Sequence, residues 1–123
     1  MKLAIPRFGE AVAPCFEYSA TIAIFTVNRR RVVDQIDFCL QSREALDRVR
    51  LLRDQGVDTL ICGGVQAFFE DMLVEHGIHV ISWVSGSVDE LLRLFLSGQL
   101  ASGKRRLGDI PGKTVAARET KES

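Results

Sequence analysis

No charge of either sign prevails in this chain. Its 16 Lys and Arg balance 16 Asp and Glu over 123 residues, for a formal net charge of zero at pH 7. Nothing global therefore selects for nucleic acid or an anionic membrane surface. No apolar run approaches the ~18 residues that a membrane-spanning helix requires. The N-terminal apolar stretch from Met1 to Pro6 is shorter than a secretory signal, so the sequence predicts a cytoplasmic chain. Cysteine is scarce: Cys15, Cys39 and Cys62 form no CxxC pair, and their odd number fits neither a disulfide framework nor a structural zinc site. In the cytoplasm all three are expected as thiols. There are only two histidines, His76 and His79.

What is present is an apolar chain, 46% hydrophobic, of a length that suits one compact domain. The most informative stretch is Asp58-Thr59-Leu60-Ile61-Cys62-Gly63-Gly64, a short apolar run ending in a thiol and two glycines. Such a run suits a strand covered on both faces. The helical spacing of Val65, Phe68 or Phe69, Met72 and Leu73 follows, so Gly63-Gly64 is expected in a strand-to-helix turn. Two residues without Cβ permit positive φ there and close approach of a ligand to the main chain. The amides opening the next helix favour an anion. The plainer reading leaves the glycines as a tight turn and Cys62 as a small core residue.

In chain order, Lys2–Pro6 reads as a strand and residues 7–18 as a long loop, a length often functional in small domains. Residues 20–27 and 31–38 form a hairpin around Asn28-Arg29-Arg30, with the arginines at a solvated tip. A helix over 42–55 has Ser42 as its N-cap and Gly56 as its stop. The strand at Asp58 and the helix to His76 come next, then a strand over 78–84. Ser87 and Glu90 make a capping box that opens a last helix through Leu96. The order predicts an α/β domain over 1–100 with a mixed sheet and helices on its faces. Residues 101–123 have no apolar period and a net charge of +3, which predicts a mobile basic tail. Gly112-Lys113-Thr114 lacks the upstream glycine and strand of a phosphate loop.

With the first, fourth and fifth strands parallel, Cys15, Cys39, Cys62 and Ser85-Gly86-Ser87 all fall at one sheet edge, where open α/β sheets place ligands. Adjacent first and fourth strands, ~4.8 Å apart, would let Cys15 and Cys62 approach, with Cys39 further off. His76 and His79 fall at the opposite edge. Two thiols do not complete a zinc site, but they suit a preassembled metal–sulfur cluster that brings its own sulfides. The expected cofactor-binding residues are Cys15, Cys62, Gly63, Gly64 and Gly86, with Cys15 and Cys62 as metal ligands. No paired carboxylate or Cys–His pair is expected at that edge, so the sequence predicts no enzyme.

The start Lys2–Pro6, the loop Val12-Ala13-Pro14-Cys15-Phe16, the run Gly56–Gly64 and the end Ser85–Val88 through Gly98-Gln99-Leu100 together resemble the dinitrogenase iron–molybdenum cofactor biosynthesis family. The resemblance covers about the first 100 residues and implies a ribonuclease H-like fold with strand order 3-2-1-4-5. It implies carriage of a metal–sulfur cluster, of iron–molybdenum or molybdenum–copper type, and a cofactor-assembly or acceptor protein as partner. Members of the family often carry His where Cys15 stands. The alternatives are a module binding a small anionic metabolite at the same glycine turns, or a protein–protein adaptor using the basic tail.

Overall fold

A computed structural model of the chain describes residues 1–103. The strands are β1 (Lys2–Phe8), β2 (Ala11–Val12), β3 (Thr21–Asn28), β4 (Arg31–Cys39), β5 (Thr59–Ile61) and β6 (His79–Ile81). The helices are α1 (Ala45–Asp54), α2 (Ala67–Glu75) and α3 (Val88–Leu96), with a 3-10 turn at Phe16–Tyr18. The sheet runs β4-β3-β1-β5-β6, and β2 pairs with the end of β1. With the two-residue β2 set aside, this is the expected order and the expected mixed α/β class.

β1 lies at the centre because both its faces are buried. Leu3 and Ile5 point to one side, Ala4 and Pro6 to the other, and all are inaccessible to solvent. β1 and β5 are parallel, with Leu3 opposite Thr59 and Ala4 opposite Leu60. β5 and β6 are parallel too, while β3 runs against both β1 and β4. One core layer joins Ala4, Ile22, Ile24, Leu60 and Cys62 to Val49 and Leu52 of α1 and Leu73 of α2. The other joins Leu3, Ile5, Phe25 and Ile61 to Val88 and Leu91 of α3.

Several local expectations shift. Residues 7–18 are not an unstructured loop. β1 extends to Phe8, and Gly9 with φ 62 turns the chain back into β2. Cys15 then forms a parallel bridge to Gly64. These pieces are too short to carry a sequence period, so only tertiary pairing defines them. α1 begins at Ala45 rather than beside Ser42, whose Oγ instead accepts from the Glu44 N–H at 3.0 Å. Ser87 does cap α3, accepting from the Glu90 N–H at 3.0 Å. The first residues of the expected tail are tied down: Gly103 N–H donates to the Ser82 carbonyl at 2.9 Å, and Ser102 Oγ accepts from Ser82 N–H at 3.0 Å. The remainder of that tail, 104–123, lies outside the described residues.

Among the described residues no carboxylate pairs with the guanidinium of the buried Arg48. Its Nε donates to the Ser19 carbonyl at 2.9 Å, and its Nη1 to the Ser42 and Glu44 carbonyls at 2.7 and 2.9 Å. The planar donor fork joins carbonyls of Ser19, Ser42 and Glu44 at once, and it fixes α1 to the 3-10 segment.

Candidate functional site

The parallel strands β1, β5 and β6 end at one edge of the sheet, and the loop from Gly9 to Ser19 folds over it. Gly64 N–H donates to the Pro14 carbonyl and Phe16 N–H to the Gly64 carbonyl, both at 2.8 Å. Phe16 is inaccessible to solvent and anchors the loop in the core. Beside this anchor opens a cleft of about 540 Å³, walled by Arg7, Phe8, Pro14, Cys15, Tyr18 and Thr21. Phe8 and Tyr18 are 79% and 77% exposed, an uncommon state for large aromatics at neighbouring positions of one cleft.

Cys15 is half-buried on the wall of this cleft. Its thiol donates toward Glu17 Oε1 at 3.5 Å. Burial, and then the negative charge of Glu17, push the Cys15 thiol above its ordinary value. Glu17 is itself buried, and its Oε2 accepts from the Gln66 N–H at 2.8 Å, immediately before α2. A carboxylate of the protein therefore already lies against the amide that precedes α2, close to where an anionic ligand was expected.

Cys62 does not open onto the edge. It is 0% exposed and packs among Ala4, Ile22, Leu60 and Val65. Burial, and then the charges of Glu70 and Glu17, drive its thiol strongly upward, so it is a neutral core group at physiological pH. The expectation of two thiolates facing a shared ligand is thus corrected. β1 and β5 are adjacent as required, but the Ala13–Cys15 backbone lies across the strand end and seals Cys62 beneath it. Cys39 is exposed at the end of β4, its Sγ 3.9 Å from Oγ1 of Thr21 on the cleft wall.

The glycines also differ from expectation. Neither Gly63 nor Gly64 has positive φ. A Cβ on Gly63 would lie 2.6 Å from the Ala13 carbonyl oxygen, and one on Gly64 would lie 3.2 Å from the Pro14 oxygen and the Trp83 ring. Close approach is required there, but by the protein's own backbone and indole. Gly86 does have positive φ, at 131, and its carbonyl accepts from Val12 N–H at 3.0 Å. Trp83 takes φ 62, an outlying conformation for a bulky residue, and its N–H donates to the Gly63 carbonyl at 2.9 Å. His76 and His79 lie at the opposite edge, at the end of α2 and the start of β6. Arg7, Phe8, Glu17, Tyr18 and Trp83 carry no motif, and only the predicted loop over 7–18 pointed toward the first four.

Arg7 is the cation of the cleft. Its Nε donates to the Gly9 carbonyl at 2.9 Å and its Nη1 to Asp37 at 3.3 Å. Among the described residues no group of three or more His, Cys, Asp or Glu could hold a bare metal ion. The donor set of one accessible thiol, one guanidinium and two aromatic faces suits instead a preformed anionic cluster with its own sulfide ligands.

A family model for the dinitrogenase iron-molybdenum cofactor matches residues 1–98. The chain belongs to that family. No curated protein matches its sequence. Among solved structures, it is similar to the protein PH0822 at 20% identity and TM-score 0.77, over 83% of this chain and 94% of that one. It is also similar to mj0327 of Methanocaldococcus jannaschii, described as a candidate dinitrogenase, at 19% identity and TM-score 0.71, over 82% and 92% of the two chains. The apo form of the orange protein of Desulfovibrio gigas is similar at 19% identity and TM-score 0.69, over 83% and 92%. At these identities the likeness establishes the shared fold. Among the described residues no helix is long and apolar enough to cross a membrane.

Proposed function

We propose that this chain is a non-catalytic cytoplasmic carrier of a preformed metal–sulfur cluster, of iron–molybdenum or molybdenum–copper type, which it holds for a cofactor-assembly or acceptor protein. The observation that carries this reading is the cleft that Cys15 lines together with Arg7, Phe8 and Tyr18. Membership of a family named for a nitrogenase cofactor supports the cargo class. Cys15 supplies a soft ligand, Arg7 offsets the negative charge, and the aromatic faces exclude water from the sulfides. The rival reading, an anionic metabolite held by the glycine turns, loses support because the Gly64 amide is engaged by Pro14 and the Gln66 amide before α2 by Glu17. An adaptor role for the basic tail rests on residues outside those described.

The test is anaerobic reconstitution with thiomolybdate plus copper, or with iron and sulfide, followed by gel filtration, metal analysis and visible spectroscopy. Wild type retains metal and colour, Cys15→Ser and Arg7→Gln lose most of both, and Cys39→Ser keeps them. Equal retention by Cys15→Ser and wild type removes thiolate ligation. No retention by wild type under either condition removes the carrier reading.

A further inference from the structure

We propose that β4 is the surface through which two copies of this chain associate, edge to edge about a two-fold axis at Ile36. Among the described residues β4 pairs only with β3, so its outer edge has no strand neighbour. It is nine residues long, contains no proline and is exposed along almost its whole length. Natural edge strands are commonly short or interrupted, because an open ladder invites another strand; in β4 the interruption lies near one end, at Val33, and residues 34–39 run regularly. This one also displays large aliphatic side chains, with Val33 61% and Ile36 50% exposed.

The hydrogen-bond parity of the edge follows from its inner side. Leu40 N–H donates to the Ala20 carbonyl at 2.7 Å, continuing the ladder in which Cys39 faces Thr21 and Ile36 faces Ile24. Residues of an antiparallel strand alternately turn both backbone groups toward one neighbour and then toward the other. Asp34, Ile36 and Phe38 therefore bond β3, while Gln35, Asp37 and Cys39 present N–H and C=O outward. Beyond Asp34 the register steps to Val32, which leaves Val33 unpaired as a bulge.

Among axes from Asp34 to Asp37, these constraints select one self-pairing. A two-fold axis normal to the sheet sets one residue opposite its own copy. An axis at Asp34 or Asp37 opposes two carboxylates, which is unfavourable. An axis at Gln35 brings Asp37 against the bulge at Val33, where the ladder stops. An axis at Ile36 sets Gln35 of each copy opposite Asp37 of the other, joining outward-turned residues through roughly four backbone hydrogen bonds. The Gln35 amide, which within one copy donates to Asp37 Oδ1 at 3.3 Å, then also has the Asp37 of the other copy opposite it, and Ile36 meets Ile36. Ile36 lies on the face of the buried Ile24, so this contact continues the core layer covered by α1 and α2 across the two copies. An edge-to-edge contact is small, so the association is concentration-dependent.

Sedimentation velocity on the full chain under reducing conditions, from micromolar to millimolar concentration, tests this. The mass of wild type rises from 13.7 kDa toward twice that value. Ile36→Glu stays monomeric with an unchanged circular dichroism spectrum and melting temperature, since the side chain is half-exposed in the monomer. Ile36→Cys in a Cys39→Ser background gives a disulfide-linked dimer on mild oxidation, because a non-bonded pair sits ~4.5 Å apart at Cα. Cys39→Ser alone does not. A wild type that remains monomeric throughout, an Ile36→Glu variant that still dimerises, or an Ile36→Cys variant that does not cross-link would overturn the proposal.

Discussion

At the residue scale, the three thiols separate by environment rather than by sequence context. Cys39 is exposed, Cys15 half-buried beside Glu17, and Cys62 sealed. Alkylation of the native protein at pH 7.5, followed by mass spectrometry, should modify Cys39 first, Cys15 more slowly, and Cys62 only after denaturation. Rapid modification of Cys62 would show that the edge opens. Cys62→Ser should cost about 1–3 kcal/mol, because a hydroxyl replaces the thiol in an apolar layer. The raised thiol also predicts a pH dependence with a definite sign. Folded Cys62 keeps its proton while unfolded Cys62 ionises near the ordinary value of 9.0, so its contribution is complete below that pH and declines above it. Thermal melts should therefore fall more steeply above pH 9 for wild type than for Cys62→Ala. Parallel slopes would remove this assignment.

At the element scale, the N-terminus of α2 and the loop over the site are held by one carboxylate. Glu17 accepts from Gln66 N–H and from the Cys15 thiol, so it links the cap of α2 to the cleft wall. Glu17→Ala should destabilise the domain by about 1–3 kcal/mol, because it removes a charge-assisted hydrogen bond from the Gln66 N–H to a buried carboxylate. Amide hydrogen exchange should quicken at Gln66 in particular. Uniform exchange in the variant and wild type would show that another group takes over the cap. α1 is anchored differently, through the Arg48 fork on three carbonyls. A lysine at position 48 cannot reach all three, so Arg48→Lys is expected to melt several degrees lower.

At the scale of the whole molecule, the chain continues past the last helix into the sheet edge. Ser102 and Gly103 bond Ser82, which precedes the strained Trp83. A chain ending at Gly103 should therefore melt at a higher temperature than one ending at Leu100. Equal melting temperatures would mean that these two bonds add nothing to stability.

The class of fold was legible in the sequence because burial on both strand faces leaves continuous apolar runs such as Leu60-Ile61, and helices leave spaced ones. The Ser87 cap and the parallel directions of β1, β5 and β6 followed from local chemistry and connection rules, and so did the remote histidines. The family was legible in the order of short motifs from Lys2 to Leu100. Only the tertiary structure decided what each motif residue does. Gly63 and Gly64 mark close approach, but a sequence does not say whether a ligand or the chain's own Ala13–Cys15 backbone makes it. A cysteine after a buried strand is compatible with an open edge or a sealed one, and the bridge from Cys15 to Gly64 closes it over Cys62. Arg7, Phe8 and Tyr18 gather around Cys15 through contacts distant in sequence or too short for a period, so the cleft appears only when the chain is folded.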